Sequence, residues 1–202
     1  MKFPPAAVGQ VLDRIPNTVR FGAAALIQIG LIAFMVADRV WILRTGIDVT
    51  LQTRPVDPRD FLRGDYVQLG YDISQVPAGA LKDQPAGKSD RVFVTLTPDR
   101  DGFHHATSVH TAPVAVTSPE VLIQGHIISG ADCGPDHNVF CANLQIRYNL
   151  ERYFVPEGEG EKLEQARNQH KLTVVAAVAP SGRAAIKRLM VDGESVYEEP
   201  LF

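Results

Sequence analysis

The chain has 202 residues, of which 45% are hydrophobic, 21% charged and 7% aromatic, and its formal net charge is −3. That length suits one or two compact units and excludes a large multidomain enzyme, while the near-average composition excludes disordered, collagen-like and disulfide-dense chains. With 23 acidic residues against 20 basic ones, there is no basic surplus for gripping nucleic acid, which excludes it as a partner.

Residues 1–18 form a polar leader carrying Lys2 and Arg14, and residues 21–37 then run for seventeen positions without a charge. As a helix that run is about 26 Å long, slightly short of a hydrocarbon core of about 30 Å. Extension through Val40, Trp41, Ile42 and Leu43 supplies the missing length and takes in Asp38 and Arg39, which can snorkel, with Trp41 as an interfacial anchor. The expected anchor is therefore 19–43, with Gly22, Ala25 and Gln28 spaced to form a small-residue face. A cleaved signal peptide fits poorly. The run exceeds a usual signal core, and Met35 stands where a cleavage site before Asp38 needs a small residue.

Lys2, Arg14 and Arg20 on one flank balance Arg39, Arg44 and Arg54 on the other, so charge gives no orientation. N-terminal anchors commonly export the domain attached behind them, and the cysteines agree. Cys133 and Cys141 are the two cysteines of the chain, separated by the turn-forming Gly134, Pro135, Asp136 and Asn138. A bridge between them suits an oxidising compartment and would contribute about 2–3 kcal/mol; two buried thiols are the alternative. The expectation is a cell-membrane protein with its C-terminal domain outside the cytoplasm, in the periplasm.

Beyond the anchor the sequence turns to short alternating runs punctuated by Pro, Gly and Asp. Strands are predicted at 47–53, 66–73, 91–96, 104–110, 121–129, 143–149, 172–179 and 184–191, with hairpin turns at 98–102, 180–182 and 192–193. Within 66–73, Val67, Leu69, Tyr71 and Ile73 fall on the core-facing side, and Tyr66, Gln68, Gly70 and Asp72 on the other. One short helix is predicted at 159–169, its acidic start and its basic Arg167 and Lys171 matching the helix dipole. The fold class is mostly β: an antiparallel, barrel-like domain over 47–202 with one short helix, behind an N-terminal transmembrane helix.

Two stretches concentrate unusual residues. In the first, Arg54, Arg59 and Arg63 alternate with Asp57, Asp60 and Asp65, enough for a self-satisfying ion-pair network in a rigid loop, and Gly64-Asp65 launches the next strand. Gly64, Asp65, Tyr66, Leu69 and Tyr71 resemble, position for position, the pattern for which the bacterial GDYXXLXY family is named. The preceding residues 53–60 also look like that family. The second stretch, Glu151-Arg152-Tyr153-Phe154-Val155-Pro156-Glu157-Gly158-Glu159-Gly160, is similar to the family's other distinctive segment. The resemblance covers roughly residues 47–197. It implies membrane-anchored bacterial proteins without an established activity, thought to accompany multi-span membrane proteins. Physically, the second stretch reads as a strand-to-helix corner, stopped by Pro156 and Gly158. Glu151 and Arg152 would pair with charges of the first stretch if the strands lie adjacent.

Other chemistries find little support. His104 and His110 share a strand face about 20 Å apart, too far for one ion, and no metal-ligand spacing occurs, so neither metal nor cofactor is expected. No Gly-x-Ser-x-Gly elbow or phosphate loop occurs, and a signal-peptidase-like Ser/Lys arrangement lacks its nucleophile segment. The favoured reading is a non-enzymatic, single-pass anchored β domain that binds other envelope membrane proteins, with residues 121–129 as a sheet edge and the arginine-rich loop as contacts. The alternative is a hydrolase or transferase using Asp65, Tyr66, Glu151 and Arg152. A third reading, a small-ligand sensor, needs an apolar pocket. The motif candidates, as binding or structural residues, are Arg63, Gly64, Asp65, Tyr66, Leu69, Tyr71, Glu151, Arg152, Tyr153, Phe154, Pro156, Glu157 and Gly158.

Overall fold

A long apolar stretch without internal proline favours helix, and in the computed structural model α1 runs Asn17–Thr45. The described residues are 16–56, 66–83, 91–130, 143–156 and 158–200. Pro16 starts the helix, its carbonyl accepting the N–H groups of Val19 at 3.0 Å and Arg20 at 3.2 Å. Phe21, Leu26 and Phe34 are 75%, 72% and 71% exposed, so the helix turns its apolar side chains outward, and it is long and apolar enough to cross a membrane.

The chain divides into one unit over Met1–Val40 and a second over Trp41–Leu201. In the second unit, the last turn of α1 belongs to the β domain. Ile42 and Leu43, expected from sequence to lengthen the span, are instead buried in a cluster with Ala177, Ala179 and Ala185. Gly46 makes this joint possible. It donates its N–H to the Ile42 carbonyl at 2.9 Å, and a Cβ there would lie 2.6 Å from that oxygen and 2.9 Å from the Val178 nitrogen.

The domain is mostly antiparallel β with a nearly closed, barrel-like sheet. Its strands are β1 (Ile47–Arg54), β2 (Tyr66–Gln68), β3 (Gly70–Tyr71), β4 (Gln75–Pro77), β5 (Arg91–Pro98) and β6 (His104–His110). They continue with β7 (Val121–Ser129), β8 (Asn143–Arg147), β9 (Arg152–Phe154), β10 (Leu172–Val178), β11 (Ala184–Val191) and β12 (Glu194–Glu198). The short helix α2 (Gly160–Asn168) lies between β9 and β10. One five-stranded sheet has the order β12-β11-β10-β1-β3, a second has β4-β8-β7-β5-β6, and β2 pairs with β9 alone. Side chains from both large sheets, among them Val49, Leu51, Val94, Ile123, Ile146 and Val174, share one core. β10 is buried along nearly its whole length, because Val174, Ala176 and Val178 join that core while Ala177 joins the cluster of Ile42 and Leu43.

Two expectations are corrected by the fold. Residues 121–129 are not a sheet edge: β7 is an interior strand, hydrogen-bonded to β8 on one side and β5 on the other. Nor is 66–73 one strand. β2 pairs with β9, β3 with β1, and after a single 3-10 turn (Asp72–Ser74) β4 pairs with β8. The segment breaks because it must hand its hydrogen bonds from one sheet to the next. The face assignment survives that break: Val67, Leu69, Tyr71 and Ile73 are all buried. β9 is the strand expected ahead of Pro156 and Gly158, whereas β4 and β12 escape prediction; β4 has three residues and β12 is almost wholly exposed, so neither period nor apolar face announces them.

Candidate functional site

The two stretches singled out from sequence lie side by side. β2 and β9 run antiparallel, with Tyr66 opposite Phe154, Val67 opposite Tyr153 and Gln68 opposite Arg152. The Leu69 N–H continues the contact to the Glu151 carbonyl at 2.9 Å. Arg63, Gly64, Asp65 and Glu157 lie outside the described residues, as do Cys133, Cys141, Asp57 and Asp60, so the expected loop network, the disulfide and any Asp65–Arg152 pair fall there too.

Alternation divides the labour among the rest. Leu69 and Tyr71 point into the core, where the Tyr71 hydroxyl donates to the Leu150 carbonyl at 2.6 Å. Tyr148 does the same toward the Ile73 carbonyl at 2.8 Å. Burial first, and the Glu151 carboxylate second, push both phenols well above their ordinary pKa, so they remain neutral donors and serve as struts rather than acids. The Glu151 carboxylate accepts the Tyr148 N–H at 2.6 Å, which closes the turn between β8 and β9. In that turn Asn149 sits at φ 62°, a left-handed conformation that asparagine tolerates better than most residues. Tyr153 is buried and meets the Tyr197 ring edge-on at 6.3 Å. Pro156 and Gly158 form the corner before α2, the Pro156 carbonyl accepting the Glu159 N–H at 3.2 Å.

The outward-facing members behave differently. Phe154 is 79% exposed and lies 6.2 Å from the Tyr66 ring, while the Arg152 guanidinium sits over that ring at 5.7 Å. Beside them opens a cleft of about 840 Å³, lined from the end of β1 by Arg54, from β2 by Tyr66 and Gln68, and from β8 by Gln145 and Arg147. Asn149, Glu151 and Arg152 complete its charged and amide-bearing wall. Gly70 lets Val56 and the Arg54 stem pack closely against the cleft floor, since a Cβ there would lie 2.5 Å from a Val56 methyl and 3.1 Å from the Arg54 stem. The cleft thus stands where elements of three sheets meet.

Of the proposed catalytic set, Tyr66, Glu151 and Arg152 line this cleft together. Its described lining holds no histidine, cysteine or lysine, and among those residues no hydrogen bond joins a hydroxyl to a base. Polar and apolar groups share the lining nearly equally, Pro55, Val56, Leu69, Ile128 and Ile146 supplying the apolar part. The β6 histidines are engaged elsewhere: His104 accepts the Thr50 N–H at 3.3 Å and His105 meets Asp99 at 2.8 Å.

Sequence reasoning missed the residue that fastens the cleft from behind. Arg167, expected from sequence to serve the helix dipole, is 0% exposed and points inward. Its guanidinium donates to the Gln68 carbonyl, to the Val56 carbonyl at 3.3 Å and to the Asn168 side chain at 3.0 and 3.1 Å, with Glu164 at 3.8 Å. Burial lowers its pKa, and Glu164 opposes that. One signal was present: Arg167 stands four residues after buried Leu163 and directly follows Ala166, on the helix's apolar stripe.

No curated protein and no solved structure matches the chain. The family model described as GDYXXLXY protein matches residues 28–189, which takes in both stretches and most of the β domain. The chain belongs to the GDYXXLXY protein family.

Proposed function

We propose that this is a single-pass, membrane-anchored binding protein, with the apolar part of α1 before Trp41 as an uncleaved anchor and the β domain outside the cytoplasm. The cleft between the two family stretches is its binding surface, and an envelope membrane protein is the partner. One observation carries the reading. Tyr66 and Gln68 of the first stretch and Glu151 and Arg152 of the second line a single open cleft, while Val67 and Tyr153 between them are buried in the core.

The partner is tested by placing a photo-crosslinking phenylalanine analogue at Phe154, beside the cleft, and another at Val196, which is also exposed, in full-length protein in its native membranes. Crosslinking to an integral membrane polypeptide from position 154 but not 196 supports the reading; crosslinking from 196 alone overturns it. Orientation is read with Cys133→Ser, Cys141→Ser and a new cysteine at exposed Ser195. An impermeant maleimide should label Ser195→Cys in intact spheroplasts. Labelling only after lysis would place the domain in the cytoplasm.

A further inference from the structure

We propose that the cleft is an anion site, taking a small ligand that carries two or more phosphate or carboxylate groups, held by Arg54, Arg147 and Arg152. This rests on reading the cleft as a binding surface and names the chemistry it selects.

The three arginines come from β1, from β8 and from β9, and the cleft's charged lining among the described residues is completed by Glu151 alone. Like charges gathered around one concavity repel, and a fold gains nothing by assembling them unless something neutralises them. Several cations elsewhere on this domain find carboxylates, although among the described residues Lys82, Arg91 and Arg100 also stand without one. Lys187 and Arg188 share Asp48 at 2.8 and 3.4 Å, Lys171 meets Asp192 at 3.4 Å, and Lys162 meets Glu159 at 3.4 Å. Among the described residues Arg54, Arg147 and Arg152 have no such partner, and Glu151 is turned to the Tyr148 N–H.

The neighbours fit an oxyanion as well. Stacking on Tyr66 orients the Arg152 guanidinium without consuming its N–H groups, which leaves the fork free for bidentate contact. Gln68, Gln145 and Asn149 add neutral amide donors around the same space. A volume of about 840 Å³ lies in the range of small-molecule sites. Because the arginines stand on separate strands, a ligand with its charges spread over several groups engages more of them than a single carboxylate would.

The test is calorimetric titration of inorganic pyrophosphate and of citrate into full-length protein in nanodiscs, at constant ionic strength. Saturable binding is expected, weakened about tenfold by each of Arg54→Gln, Arg147→Gln and Arg152→Gln. The matching lysine variants should fall between, since they keep charge but lose the fork. Arg100→Gln, in an exposed turn, should bind like the parent; an equal loss there reduces the effect to bulk charge and overturns the proposal. So does binding that appears only when Asp57, Asp60 and Asp65 are changed to asparagine, because the chain's own loop would then be the occupant. Zwitterionic and anionic nanodiscs separate the sources of the ligand. Weaker pyrophosphate binding in the anionic disc identifies a lipid headgroup, equal binding a soluble anion, and either result supports the site. Absence of probe binding alongside a persistent crosslink from position 154 overturns the anion proposal alone; probe binding without that crosslink overturns the partner alone.

Discussion

At its first residues β1 lies against β10, where Ala177, Ala179 and Ala185 receive Ile42 and Leu43 and Gly46 lets the backbones close. At its last residue Arg54 pairs with Gly70 and borders the cleft. At one end small apolar residues close over Ile42 and Leu43. The other gathers guanidinium groups and amides around open space. The difference teaches how to sort this domain: where a side chain is spent on the fold its loss lowers stability, and where it is left over its loss is felt by a ligand.

The largest effect expected tests the seam between the two classes. Arg167→Ala removes the donors for the Gln68 and Val56 carbonyls and empties a buried volume, so it should lower stability by about 3–5 kcal/mol in urea unfolding. At the packed end, Leu43→Ala should lose about 2–4 kcal/mol by opening a cavity against the alanines. Tyr71→Phe keeps the ring but leaves the Leu150 carbonyl without its hydroxyl donor, for about 1–2 kcal/mol. The comparison sharpens at the cleft end. Neutralising Arg54, Arg147 and Arg152 to glutamine together should change stability by no more than about 0.5 kcal/mol while abolishing anion binding. A loss comparable to that of Arg167→Ala would instead place them among the fold's struts.

The smallest effect concerns pH. Burial lowers the His104 pKa below its ordinary 6.5, an effect that Asp99 opposes and His105 adds to. The unfolded chain then takes up its proton first as pH falls, so the contribution is intact above about pH 6.5 and declines as pH drops toward the folded value. Thermal unfolding between pH 7 and pH 5 should show His104→Asn with a shallower pH slope than the parent.

The legibility of each feature depends on how far its signal reaches along the chain. The strands at 104–110, 121–129 and 184–191 have the predicted bounds, and the buried face of residues 66–73 was assigned correctly, because alternation records which side of a strand meets the core. The break at Leu69 was not legible, since it depends on β9 and β1 being ready on different sides. The position of β7 inside its sheet depends on β5 and β8 in the same way. Arg167 was misread because a charged residue near a helix end has two uses, and only its surroundings choose between them.

The amino-acid sequence by itself determined the apolar N-terminal helix, the β class of the domain, its family and the inward face of its motif, all of which are written in local composition and period. Tertiary structure decided that the last turn of the helix belongs to the domain, that the two family stretches are strand partners, and that Arg54 shares one cleft with Arg147 and Arg152. The reason is physical. Periodicity constrains a residue's own face, whereas a site is defined by which faces meet, and that depends on how every strand finds its hydrogen-bonding neighbour.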